Sequence, residues 1–162
     1  MGVRFTDFRF VEPLRLRRDI QGRGRWMIVD QDYPFVWEEN DVRWYRGVVP
    51  KNMETDLATI PQWAQWLISK LDAHVEAAVV HDYLYRNGAN CIEVTPTNVF
   101  GEPTTPPREP ELRQLSRRDC DRIFLAAMRT ARVARWKRGL MYAAVRVGAW
   151  WAYTPWQPDG PG

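Results

Sequence analysis

Two cysteines in 162 residues, Cys91 and Cys120, cannot build a disulfide framework, so core packing and polar contacts must hold this fold. The first residues, Met1-Gly2-Val3-Arg4-Phe5-Thr6-Asp7, contain no apolar stretch of the secretory kind. Synthesis and residence in a reducing cytoplasm is the expectation. Long apolar runs are also missing: the richest, Gly139 to Tyr153, carries Arg146 in its middle and falls short of the roughly 20 residues of a membrane span. It is expected to be a core or interface helix. Charge of one sign does not dominate, with 23 basic against 20 acidic residues and a net charge of +3. The basic residues are mostly arginines that are not massed in a tail, which favours acidic partners slightly and argues against a dedicated nucleic-acid binder.

Tryptophan is what the chain has in excess, at nine residues. Indole rings belong in cores and interfaces, so some of them are expected at a partner surface, with Trp150, Trp151 and Trp156 the candidates near the C-terminus. The length suits one domain, expected over 1–153, followed by an irregular tail over 154–162.

The pattern along the chain predicts an α+β fold, with an N-terminal antiparallel sheet packed on a C-terminal bundle of about four helices. Residues 1–52 read mainly as strands, because 3–10 alternate apolar and polar residues, while 25–29 and 43–49 are rich in aromatic and β-branched residues. Gly22, Gly24, Pro34 and Pro50 are expected to punctuate these strands. From Pro61 to residue 153 the apolar period becomes helical. A first helix is expected from Pro61 through Leu71, and a second from about Ala73 to Arg86 with Asp72 as its cap. The segment 95–110 holds five prolines and is expected as a surface loop, outside helix and central strand. Ser116 and Asp119 have the spacing of a capping box, predicting a third helix to about Val133, and a fourth should span about Lys137 to Ala152.

Against this frame one charged doublet stands out, His81-Asp82, inside the apolar run Ala77-Ala78-Val79-Val80-His81-Asp82-Tyr83-Leu84-Tyr85. A buried ionisable group costs several kcal/mol unless it is paired or hydrogen-bonded, so catalysis, a metal or a structural lock must account for it. At about 100° per residue, His81 shares the inward face with Ala77, Leu84 and Tyr85. His74 lies on that face too, but two turns away, roughly 10 Å along the axis, too far for joint metal ligation. On the third helix Asp121 falls beside Phe124, Leu125 and Met128, and so needs a partner. Arg146, flanked at four-residue spacing by Tyr142 and Trp150, is the natural one, with His81 or a shared metal as alternatives. Asp56, between strand and helix, is either a turn residue or a loop-borne functional carboxylate. Cys120 reads as a small core residue, since a nucleophilic cysteine needs an electropositive, accessible setting.

The ordered motifs Thr55-Asp56-Leu57-Ala58-Thr59-Ile60-Pro61, Ala77 to Tyr85, Arg118 to Met128 and Leu140 to Arg146 resemble a family of phage and prophage proteins, domain-of-unknown-function family 1353. The resemblance covers about 55–148 and implies a phage or prophage source, with Asp56, His81, Asp82, Asp121 and Arg146 in the shared core. It implies no activity. The order His74, His81-Asp82, Asp121 also resembles the ligand order of HD-type metal phosphohydrolases, departing from it in that His74 shares the doublet's helix.

Two expectations follow. The first is a phage structural or accessory protein, made in the host cytoplasm and associated with the virion tail or neck. Its Asp121 and Arg146 cluster would order the fold, and its partners would be other phage structural proteins or further copies of itself. The second is a small metal-dependent hydrolase of cell wall or nucleotide substrates. There His81, Asp82 and Asp56 would be catalytic, and a divalent ion would be held by Asp56, His81, Asp82 and Asp121.

Overall fold

A computed structural model describes residues 4–18, 27–55, 75–87 and 92–148. The described residues form an α+β structure with eight strands and three helices. The helix expected to open at Pro61 lies outside the described residues, as do Asp56, His74, Cys91, Trp150, Trp151 and Trp156. No helix among the described residues is long and apolar enough to cross a membrane.

The strands are β1 (Phe5–Phe10), β2 (Leu16–Arg18), β3 (Met27–Val29), β4 (Tyr33–Glu39), β5 (Arg43–Val49), β6 (Glu54–Thr55), β7 (Ile92–Thr97) and β8 (Glu111–Arg113). Five of them make an antiparallel sheet in the order β1-β4-β5-β7-β8, and β2-β3-β6 make a smaller one. β4 and β5 form a hairpin in register from Tyr33↔Val49 to Glu39↔Arg43. Its turn places Asn40 and Asp41 at φ 57° and 59°, a left-handed conformation that short polar side chains tolerate best. Opposite Phe35 in that register is Gly47, where a Cβ would lie 2.7 Å from the Phe35 ring, so the ring can settle onto the strand only because no side chain is there.

Two sequence expectations give way here. Pro34 does not end a strand but lies inside β4, and the segment 95–110 is not all surface loop, because β7 runs through Pro96. Both prolines avoid a missing ladder bond by position. Pro34 lies just beyond the Phe10↔Phe35 end of the β1 ladder, where its carbonyl still accepts from the Val11 amide at 3.3 Å, and Pro96 lies beyond Ile92 to Val94, the residues that β8 pairs. The C-terminal half is therefore not mainly helical throughout, since β7 and β8 extend the N-terminal sheet beyond β5.

The helices are α1 (Val75–Arg86), α2 (Arg117–Thr130) and α3 (Arg135–Gly148). Ser116 caps α2 through the predicted box: its hydroxyl accepts from the Asp119 amide, and the Asp119 carboxylate accepts from the Ser116 amide. α2 lies against β1, where the Thr130 hydroxyl donates to the Phe8 carbonyl, and it also packs on α1 and α3. α1 reaches the sheet through Tyr83, whose ring meets Phe35 edge-on at 6.4 Å. One core results, with Phe8, Phe35, Trp37 and Tyr45 from the sheet and Val80, Leu84, Ile123, Phe124 and Met128 from the helices.

Candidate functional site

The inward face of α1 meets that of α2 at a buried carboxylate. Asp121 has no solvent exposure, and both of its oxygens are occupied. Oδ1 accepts from the Tyr85 hydroxyl and from His81 Nε2 at 3.2 Å, and Oδ2 accepts from Arg146 Nη1 at 2.9 Å. The donors come from α1 and α3, so a side chain of α2 ties all three helices together. Burial by itself would raise the Asp121 pKa, but hydrogen bonds from His81, Tyr85 and Arg146 outweigh it and hold the carboxyl below its ordinary value. The group is therefore an anion at neutral pH. A carboxylate only accepts, so His81 carries a proton on Nε2.

The surroundings fix each donor. The His81 ring packs at 4.2 Å from Tyr85 and 4.6 Å from Phe124, centroid to centroid. Burial first, and then the hydrogen bond to Asp121, push the Tyr85 hydroxyl well above its ordinary pKa, so it stays a donor. The same carboxylate raises the Arg146 pKa, although that guanidinium keeps access to solvent. Arg117, at the start of α2, contributes Nε to the Tyr85 hydroxyl at 3.4 Å. Its Nη2 donates to the Val145 and Arg146 carbonyls at 3.2 and 2.6 Å, placing a cation on backbone acceptors near the end of α3.

The doublet itself is split. Asp82 turns from His81 and pairs with Arg86 Nε at 2.8 Å, one turn along α1, while Arg86 Nη1 donates to the Glu54 carbonyl of β6 at 2.8 Å. That pair docks α1 on the small sheet. His81, Asp121 and Arg146 are brought together; Asp82 is not, and Asp56 lies outside the described residues. Among the described residues no three His, Cys, Asp or Glu side chains gather in a metal-binding group. The described donors do not fit the expected metal, because Asp121 has its oxygens filled by Tyr85, His81 and Arg146, and Asp82 faces Arg86. Cys120 is fully buried, and burial followed by the nearby Asp121 charge pushes its thiol far up, which makes it an inert core residue.

Two members of this site escaped sequence reasoning. Tyr85 stands four residues after His81 on the same helical face, the spacing at which side chains meet, and that was the signal for it. Arg117 gave none, because a cation in the first turn of a helix reads as solvated.

A second buried carboxylate, unexpected from the sequence, lies at the hairpin end of β4. Glu39 is 3% exposed; it accepts from Trp37 Nε1 at 3.1 Å and pairs with Arg113 of β8. The Arg113 guanidinium lies over the Tyr45 ring at 4.7 Å.

No curated protein and no solved structure matches the chain. The family model described as "Protein of unknown function (DUF1353)" matches residues 27–145, a span that includes β3 through most of α3 and every member of the Asp121 site except Arg146. The chain belongs to the DUF1353 family.

Proposed function

We propose that this chain is a phage or prophage structural or accessory protein, associated with the virion tail or neck, in which the Asp121 cluster orders the helices. The observation that carries this reading is that both oxygens of Asp121 are engaged by donors from two other helices, so the carboxylate is spent on joining α1, α2 and α3. The resemblance to phage and prophage proteins supports the source. Three features support contact with neighbours: the tryptophan excess, the candidates Trp150, Trp151 and Trp156, and the large exposed side chains of Val42, Phe100 and Leu112. Other phage structural proteins are the proposed partners. In the rival reading, a metal-dependent hydrolase, Asp121 would orient His81 as a base. It is the weaker reading, because Asp121, one of its four metal ligands, already accepts from Tyr85, His81 and Arg146.

The test is mass spectrometry of virions purified after induction of a lysogen that carries this sequence. The expected result is the protein at a fixed copy number per particle, retained through density-gradient purification. Its presence in the lysate and absence from the particle would overturn the reading.

A further inference from the structure

Charge is distributed very unevenly along this chain. From Arg113 to Arg146 there are ten basic residues against two acids, leaving thirteen against eighteen elsewhere. Both acids are engaged, Asp119 in the cap of α2 and Asp121 in the buried cluster. The corner joining α2 to α3 is the densest part: Arg129, Arg132, Arg135, Lys137 and Arg138 stand within ten residues that contain no acid. None of the five forms an ion pair among the described residues.

The local structure carries these cations at a cost. Arg132 occupies the residue after the α2 cap at φ 55°, where glycine is favoured. The turn is a Schellman motif, with the Arg132 amide donating to the Arg129 carbonyl and the Val133 amide to the Met128 carbonyl, each at 3.0 Å. Arg135, Lys137 and Arg138 crowd the first turn of α3, the positive end of its dipole, and no acid is present there. Beside them Trp136 is 61% exposed, with the Lys137 ammonium 5.2 Å from its ring. A chain folding for stability alone would place glycine, an acid and a polar residue at these three points.

We propose that the α2–α3 corner binds single-stranded nucleic acid, its arginines following the phosphates and Trp136 stacking on an unpaired base. An anionic polymer relieves the repulsion among the five cations, which are carried by a turn and the two helix ends it joins. The exposed indole selects a base-bearing polymer over an acidic protein, because a flat ring offers stacking that a glutamate side chain cannot return. The absence of a basic tail argued against a dedicated nucleic-acid binder; the charge is instead dense at an internal corner, beside an exposed indole.

The test is fluorescence anisotropy of the full chain with fluorescein-labelled oligothymidylate across a salt titration, with poly-glutamate as competitor. Trp136→Ala should weaken binding about tenfold. Replacing Arg129, Arg132 and Arg135 by alanine should lower the log–log salt slope by about 2. Arg132→Gly separates binding from folding, since it should weaken binding while raising Tm by about 2 °C as the strained position relaxes. Oligothymidylate affinity unchanged in Trp136→Ala, or poly-glutamate competing as well as the oligonucleotide, would overturn the proposal. So would an unaltered salt slope in the triple variant that keeps the wild-type circular dichroism spectrum.

Discussion

Among the described residues two carboxylates are buried, Glu39 and Asp121, and the molecule binds them in different ways. Glu39, in the sheet, takes one donor from its own strand, Trp37, and one cation from the edge strand β8, Arg113. Asp121, among the helices, takes three donors, none from its own helix. The backbone ladder already aligns β4 with β5, so Glu39 has only to secure the edge strand, and one arginine suffices. Helices have no ladder between them; a carboxylate that accepts on both oxygens supplies the directional contacts that apolar packing lacks. The lesson is that the same chemistry performs register control in one layer and assembly in the other.

Breaking each lock should give unequal losses. Asp121→Ala leaves His81, Tyr85 and Arg146 facing a void without their acceptor, and removal of one partner from a buried ionic network costs about 3–5 kcal/mol. Urea unfolding should show this loss, with α3 amides losing most protection from hydrogen exchange. Glu39→Gln keeps an acceptor for Trp37 and leaves Arg113 able to turn to solvent, so the same measurement should give a smaller loss, about 1–2 kcal/mol. A loss for Glu39→Gln equal to that for Asp121→Ala would erase the distinction between the layers.

Acid titration sharpens the comparison. The folded-state pKa of Asp121 is depressed, so its contribution is complete above the unfolded value of about 3.9 and is lost as pH falls through the lower folded value. The stability difference between wild type and Asp121→Asn should therefore be flat at neutral pH and shrink below about pH 4. A difference that grew on acidification would mean that the carboxyl is protonated in the folded state. The smallest effect is expected for Tyr85→Phe, which removes one of the three donors and keeps the ring against His81, at about 1 kcal/mol in thermal unfolding.

How much of this could be read from the chain depended on periodicity. The inward faces of α1 and α2 follow from a 3.6-residue repeat that places polar groups among apolar ones, and the α2 cap from the spacing of Ser116 and Asp119; the repeat named His81 and Arg146 as alternative partners of Asp121, and the fold uses both. The sheet was harder. β4 is buried on both faces from Tyr33 to Trp37, so it lacks the alternation that betrays a strand, and Pro34 argues against one. β7 was hidden by Pro96, whose harmlessness depends on how far β8 extends. Without β4 and β8 in place, Glu38-Glu39 reads as a solvated pair, and Arg113 has nothing to meet. The fate of Asp82 was illegible for a similar reason, since its turn toward Arg86 is set by where β6 meets α1.

Phe35 and Gly47 face each other across the hairpin with no room for even a methyl group between them. Positions 35 and 47 are thus one variable in the evolution of this fold rather than two. A relative that gains a side chain at 47 must shrink the residue at 35 within the same few steps, and that joint substitution would mark a lineage in which the centre of the sheet had been rebuilt.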